Sequence, residues 1–350
     1  MSLSVGIVGL PNAGKSTLFN ALLGRQVAKV ESYPFCTIEP NTGVIELPDE
    51  RLKEIVGLVE PQKTLPAPVK FVDIAGLVKG AHKGLGLGNK FLAHIRECNA
   101  ILYLLRDFDG SAPKAGSVSP RVDFEVLKTE LALKDLEALD KIIREKTTTK
   151  EKKLKRVVAS KLAESLKKGV LAKDVDLAKE EKTIADQFFL LTAKPFLVII
   201  NTNEAADFDQ KKKEFSAIKP IIIAAKFEAD LADFSAKEKQ EFLSDKGFVS
   251  VLDQVITAAY QVLGLITFYT VKGGKEVRAW PVRAGSTAIE AAAIVHTDFA
   301  EKFIKAEIVS YRDFIQLGGW DKVKAGGKLR TEGRDYQVKD GDILEFKIGR

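Results

Sequence analysis

Short, almost unbroken apolar runs punctuate the first part of the chain, with helical patterns between them. The runs at 3–9, 42–47, 69–74, 101–106, 196–201 and 220–225 predict strands. Several are almost wholly apolar, as strands covered on both faces must be. Strand and helix in alternation predict a parallel α/β sheet. The rhythm breaks between Asp123 and Thr183. There Leu127, Leu131, Ile142, Leu154, Val158, Leu162 and Leu166 recur at helical spacing among Lys and Glu. This predicts a long antiparallel helical pair with its tip near 146–153. Strands resume at Phe196, so the pair is an insertion. After Gly264 come short strands, Gly-rich turns and one helix near 289–295, a small α+β module. The expected organisation is therefore an α/β domain over 1–120 and 189–263, a helical arm over 121–188, and a C-terminal domain over 264–350.

The first strand runs into Gly9-Leu10-Pro11-Asn12-Ala13-Gly14-Lys15-Ser16-Thr17 and then the helical Leu18-Phe19-Asn20-Ala21-Leu22-Leu23. Strand, G-x-x-x-x-G-K-S and helix in this order form a P-loop. Its glycines let backbone amides face phosphate, and the helix N-terminus favours negative charge. Asn12, Ala13, Gly14, Lys15, Ser16 and Thr17 are the expected phosphate contacts. Lys15 faces the β- and γ-phosphates, and the Ser16 hydroxyl binds Mg²⁺. After the 69–74 run, Asp73-Ile74-Ala75-Gly76 supplies a metal-side carboxylate (Asp73) and a γ-phosphate amide (Gly76). Between these motifs, Tyr33-Pro34-Phe35-Cys36-Thr37-Ile38-Glu39-Pro40 reads as a switch loop. Its Thr37 offers a hydroxyl to Mg²⁺ and an amide to the γ-phosphate. Lys15, Thr37 and Gly76 are the candidate catalytic groups; Ser16, Thr37 and Asp73 are the candidate metal groups.

Where Ras-like enzymes hold a water-orienting Gln, this chain has Leu77. A leucine neither hydrogen-bonds nor polarises water, so hydrolysis is expected to be slow. His82, in the following glycine-rich loop, is read as a solvated histidine rather than a base. The guanine-reading N-K-x-D is altered to Asn201-Thr202-Asn203-Glu204. The lysine is gone and the carboxylate is one methylene longer, and both changes weaken the guanine fork. Asn201, Asn203 and Glu204, with Ala225 and Lys226 from a loop expected to close over the base, form the candidate base pocket. ATP is favoured over GTP.

Composition narrows the partners. The 350 residues carry 54 Lys+Arg against 48 Asp+Glu, a net charge of +6 that permits contact with a polyanion without requiring one. No apolar run reaches membrane-spanning length, and the N-terminus has no secretory pattern. Two cysteines, Cys36 and Cys98, are too few for a disulfide scaffold. A cytoplasmic protein without a membrane partner is expected. Lys150, Lys152, Lys153, Lys155, Arg156 and Lys161 crowd the predicted arm tip. They offer sequence-independent contacts to RNA phosphates, with a solvated helix face as the bland alternative.

These motifs together resemble those of the YchF-type Obg-like ATPases. The likeness includes the run from Phe71 through Asp73-Ile74-Ala75-Gly76-Leu77-Val78-Lys79-Gly80, His296-Thr297-Asp298-Phe299, and Asp340-Gly341-Asp342-Ile343. It implies a P-loop NTPase domain preferring ATP, an inserted helical arm, a C-terminal β-grasp (TGS-like) domain, and association with ribosomes or ribosomal subunits. Pro113 stands where that family often has a histidine, so no catalytic role for such a histidine carries over. In related P-loop proteins with Pro-Asn in the loop, the asparagine helps hold K⁺. Asn12 is therefore either a K⁺ group or a loop stabiliser. A GTPase of the same fold, and a ribosome- or RNA-binding adaptor with a structural nucleotide, remain as alternatives.

Overall fold

The structure is a computed structural model. It describes residues 3–24, 41–74, 87–108, 119–145, 149–203, 206–231, 234, 238 and 250–349. They divide between two compact units, one within 1–25, 38–43 and 70–255, the other within 26–37, 44–69 and 256–350.

The first unit is built on a sheet of order β2-β4-β1-β5-β6-β7. These strands are β1 (Ser4–Val8), β2 (Thr42–Glu46), β4 (Pro68–Asp73), β5 (Ala100–Asp107), β6 (Phe196–Thr202) and β7 (Ile221–Ile223). From β4 to β7 every pairing is parallel. β1 and nearly all of β5 are buried, which explains their unbroken apolar sequence. Helix α1 (Lys15–Leu23) follows β1, and α3 (Leu87–Glu97) precedes β5. The core on one side of the sheet joins Ile95, Tyr103, Leu105, Ile200 and Ile222 to Phe124, Leu127 and Leu131. Tyr103 meets the rings of Phe124 and Phe196 edge-on at 5.2 and 5.4 Å.

Phe124 belongs to α4 (Pro120–Arg144), the first helix of the arm; α5 (Lys150–Lys167) is the second. Residues 146–148 of the expected tip lie outside the described residues. Val158, Ala159, Leu162, Ala163 and Leu166 face Leu139, and the two alanines leave room for close helix approach. The arm is rooted by a buried carboxylate. Asp135 accepts from Leu191 N at 2.9 Å, Thr192 N at 2.7 Å and Thr192 Oγ1 at 2.6 Å. Burial pushes its carboxyl pKa up, and these donors pull it back. Helix α6 (Lys179–Asp186) completes the arm.

The second unit has a sheet of order β11-β10-β12-β8-β9-β3. β8 (Leu265–Lys272) and β9 (Glu276–Arg283) form a hairpin turned at Gly273 and Gly274, both at positive φ. β12 (Asp342–Ile348) runs parallel to β8 and antiparallel to β10 (Phe303–Ser310), which pairs with β11 (Arg330–Glu332). The edge strand β3 (Lys63–Leu65) comes from far earlier in the chain and pairs in parallel with β9. With it comes α2 (Glu50–Val59), capped by Asp49. Asp49 is the centre of a polar network. It accepts from Arg51 N at 3.1 Å, Arg51 Nε at 3.2 Å and the Tyr269 hydroxyl. Arg51 also donates to Asp340 at 2.8 Å, and Asp340 accepts from Thr267 N at 2.9 Å. One helix near 289–295 was expected after residue 264. Besides Ala288–Val295, the unit has Thr297–Glu301, Tyr311–Leu317 and Trp320–Ala325. Each of these three is too short for a periodic apolar signal.

Candidate functional site

The P-loop sits where β1 ends and α1 begins. Gly9 lies so close to β5 that an added Cβ would meet the Leu104 carbonyl oxygen at 2.5 Å. Asn12 takes φ 62° and Gly14 φ 91°, turning the chain sharply around Ala13. Asparagine tolerates this left-handed region better than most residues, which fits a loop-stabilising role for Asn12. Gly14 precedes α1 without capping it, and no acidic residue occupies the first turn. The first-turn amides of α1 therefore have no side-chain cap, the arrangement that receives an anion.

Lys15 is 9% exposed. Its Nζ donates to the loop's own carbonyls, Gly9 O at 3.2 Å and Leu10 O at 3.1 Å. Burial lowers its pKa, while the charge of Asp73 raises it. Ser16 Oγ donates to Asp73 Oδ2 at 2.9 Å. The other oxygen, Asp73 Oδ1, is buried and has no hydrogen-bond partner among the described residues. A hydroxyl beside a carboxylate with one oxygen left over is a donor set for a hard cation, and it fits Mg²⁺. Ser16 and Asp73 would hold it, and its charge would offset that building on phosphate oxygens. Thr17 follows on α1, half-buried.

At the expected base end, neighbouring residues of β6 point to opposite walls. Asn201 is buried, with both ends of its amide engaged by protein. Nδ2 donates to Ala13 O at 3.1 Å, and Oδ1 accepts from Ala225 N at 3.0 Å. It joins the P-loop to the next segment rather than standing open to a ligand. An added Cβ on Gly14 would meet Asn201 Nδ2 at 2.4 Å, so the glycine is needed for this approach. Thr202, at the position of the missing lysine, donates through Oγ1 to Asp107 O at 3.0 Å. Asn203 is exposed. Ala225 and Lys226 were expected on a loop; they open helix α8 (Ala225–Asp230) instead, Ala225 buried and Lys226 exposed. β7 is only three residues long, which leaves room for this early start.

Three expected site residues, Thr37, Gly76 and Glu204, lie outside the described residues, as do Leu77, His82 and Pro113. The structure adds two polar groups that no motif announced. Lys211, on α7 (Phe208–Glu214), forms an ion pair with Asp107, N–O 2.8 Å. Asp107 ends β5, and the carboxyl ends of strands are where α/β sheets bind ligands. That position was the available signal.

Two parts of the chain match known families. Residues 4–202 match a family described as 50S ribosome-binding GTPase, and residues 265–349 match the YchF-GTPase C-terminal family, described as of unknown function. The chain is 43% identical to the protein named ribosome-binding ATPase YchF of Bacillus subtilis, over 99% of this chain and 100% of that one. It is 44% identical to the protein of the same name from Haemophilus influenzae, over 99% of each. The solved structure of the Schizosaccharomyces pombe YchF GTPase superposes with a TM-score of 0.87 at 32% identity, covering 99% of this chain and 98% of that one.

Proposed function

The chain belongs to the YchF family, and on that premise we propose that it is an ATP-driven switch that hydrolyses the β–γ bond slowly and acts on ribosomes. The observation that carries the reading is the Asp73 oxygen left unpartnered beside Ser16, with Lys15 resting on its own loop. A polar cluster incomplete by one cation and one anion suits Mg²⁺ and a triphosphate. Ser16, Asp73 and Thr37 are the proposed Mg²⁺ groups. Lys15 and the amides of Thr37 and Gly76 are the proposed γ-phosphate contacts. Slow turnover is argued from Leu77, which offers no water-orienting group. A K⁺ ion beside Asn12 would supply the positive charge that an arginine finger otherwise provides.

ATP preference rests on Thr202. The guanine-selective lysine is absent, and the threonine in its place is turned to Asp107 rather than along a base. The proposed base contacts are Asn203 and Glu204, with Asn201 and Ala225 supporting them from behind and Lys226 at the rim. The relatives' names include both ATPase and GTPase, so the preference must be measured. Ribosome association is the named property of the curated relatives. In this chain the arm is the proposed contact with ribosomal RNA, which would not be sequence-specific. Its lysines are not equivalent. Lys152, Lys155 and Lys161 are paired with Glu145, Glu151 and Glu181 at 3.1, 3.0 and 2.9 Å. Lys150, Lys153 and Arg156 are exposed. No described helix is long and apolar enough to cross a membrane; a cytoplasmic site of action is part of the proposal.

Titration with Mg²⁺-ATP and Mg²⁺-GTP, with Lys15→Ala as control, tests the core of this reading. ATP binding tighter than GTP, lost in the variant, is the expected result. Equal or tighter GTP binding would replace the ATPase by a GTPase of the same fold.

A further inference from the structure

The carboxylate beside Ser16 stands on the last residue of β4, and the ends of elements are where a fold opens most readily. The backbone of Asp73 is nevertheless held from both sides. On one side Asp73 pairs with Ile7 in the parallel β1–β4 register. On the other, Asp73 N donates to Asn41 O at 2.8 Å. Asn41 lies one residue before β2, in a turn, with its side chain exposed. Along β4, Asp73 shares its face with the buried Val69 and Phe71, because side chains alternate on a strand. The bond from Ser16 Oγ to Asp73 Oδ2, at 2.9 Å, puts the start of α1 against that face.

Asn41 takes φ 60°, in the left-handed region. Most L side chains are strained there, and asparagine tolerates it better than most. Leaving that region would rotate the peptide planes around the residue, so the direction of the Asn41 carbonyl depends on this backbone conformation. Two residues on, Gly43 lies against α1. An added Cβ would meet Leu23 Cδ2 at 2.6 Å and Phe19 Cε2 at 3.3 Å. The start of β2 thus rests on the helix that carries Ser16, while the turn before it holds the backbone of Asp73. All of these residues belong to the first unit.

We propose that Asn41 is a positioning residue for the Mg²⁺ carboxylate, its left-handed turn pinning the Asp73 backbone so that the side chain stays beside Ser16. The inference rests on the reading of Ser16 and Asp73 as Mg²⁺ groups. Mg²⁺ demands near-octahedral geometry, and a metal group is precise only when its supporting residues are themselves fixed. A carboxylate on a loose strand end would have to be ordered as the metal binds, which weakens binding. The pin acts through the backbone of Asp73 and makes no contact with the P-loop amides. Its loss should therefore appear in the response to Mg²⁺ and spare the binding of the phosphates themselves.

Binding of ATP to the full-length protein, measured in excess EDTA and across a Mg²⁺ series, tests the inference without turnover. Asn41→Val, whose branched side chain disfavours the left-handed region, is the test variant, and Asn41→Ala is its milder form. Asn41→Gly is the rescue, since glycine adopts that region freely. Ser16→Ala is the control for the metal reading. The Mg²⁺ concentration that gives half of the metal's effect should rise about tenfold in Asn41→Val, the scale of an L side chain placed in the left-handed region. Asn41→Ala should shift it the same way by less, and Asn41→Gly should keep the wild-type value. ATP affinity in EDTA should be the same in all three. In NMR of the nucleotide-free protein, the Asp73 amide should exchange with solvent faster in Asn41→Val than in the wild type or Asn41→Gly. An unchanged Mg²⁺ response in Asn41→Val and Asn41→Ala, while Ser16→Ala shifts it, overturns the pin and leaves the metal site standing. Equal losses with and without Mg²⁺ also overturn it, since they mark a general loosening, and so does an Asn41→Gly that behaves like Asn41→Val. If Ser16→Ala leaves the Mg²⁺ response unchanged, the metal reading falls and the pin falls with it.

Discussion

Two polar clusters, one in each compact unit, are built from similar groups and finished differently. In the cluster around Asp49, carboxylates, a guanidinium, a tyrosine hydroxyl and backbone amides satisfy one another. In the P-loop cluster, Lys15 makes do with the carbonyls of its own loop, and one oxygen of Asp73 has no partner among the described residues. A buried polar group without a partner costs stability, so a fold retains one where something else completes it. The contrast is between a polar cluster closed on itself and one that, on the proposed reading, nucleotide and Mg²⁺ complete.

The contrast breaks first, if it breaks, at Lys15. Lys15→Ala should weaken Mg²⁺-ATP by at least about 100-fold, in line with the roughly 2–5 kcal/mol for truncating one member of a buried charge pair. It should not lower the melting temperature of the nucleotide-free protein. The sign follows from the lowered pKa. The folded state binds fewer protons than the unfolded, so stability from this group rises with pH up to its ordinary 10.5 and is reduced at neutral pH. Removing the amine should flatten that alkaline slope. A variant that melts earlier yet keeps ATP would place Lys15 with the structural residues.

The converse change is Asp49→Ala. It removes a helix cap and the acceptor for Tyr269, and should cost about 2–4 kcal/mol in denaturant melts. ATP affinity per folded molecule should not change; a large change would deny the division between the clusters. The base end comes next. GTP should bind about tenfold more weakly than ATP, near the lower end of the roughly 1–3 kcal/mol that one bidentate base contact discriminates. Competition titration reads this directly.

The arm repeats the contrast on its surface. Lys150→Ser, Lys153→Ser and Arg156→Ser together should weaken co-sedimentation with ribosomes and flatten its salt dependence by about 0.7–0.9 per cation lost. Lys152→Ser and Lys155→Ser, which break pairs with glutamates, should do less. Equal effects would leave the arm's pairing irrelevant to binding. The smallest effect expected is a rise in steady-state hydrolysis when K⁺ replaces Na⁺ at constant ionic strength, absent in Asn12→Ala. Identical rates in both salts would leave Asn12 as a turn former at φ 62°.

How legible each region was depends on how much neighbouring residues had to share the work. The P-loop is readable because glycines, lysine and hydroxyl must follow one another in fixed order on one turn. β5 is readable because a strand covered on both faces has little choice but to be apolar. β3 escaped notice since two of its three residues are exposed and its partner β9 lies far along the chain. Helix α2 buries only Leu52 and Ile55, too few for a periodic signal. Asp107 and Lys211 escaped for another reason. An ion pair between helix and strand carries no spacing rule, and only the fold brings its members together.

One consequence concerns where this chain can be cut. The second unit is not a continuous tail. Its edge strand β3 and its capped helix α2 are spelled between β2 and β4. Ending the chain at residue 264 would strip β9 from β3, exposing a row of backbone donors and acceptors. It would also leave Asp49 and Arg51 without Tyr269 and Asp340. Such a truncation deletes five of that sheet's six strands and strands the remaining one as a sticky edge, so a shortened chain that precipitates reports on the cut and says nothing about what the missing tail does. A separable version of the tail would have to bring residues 44–69 with it, joined by a new linker.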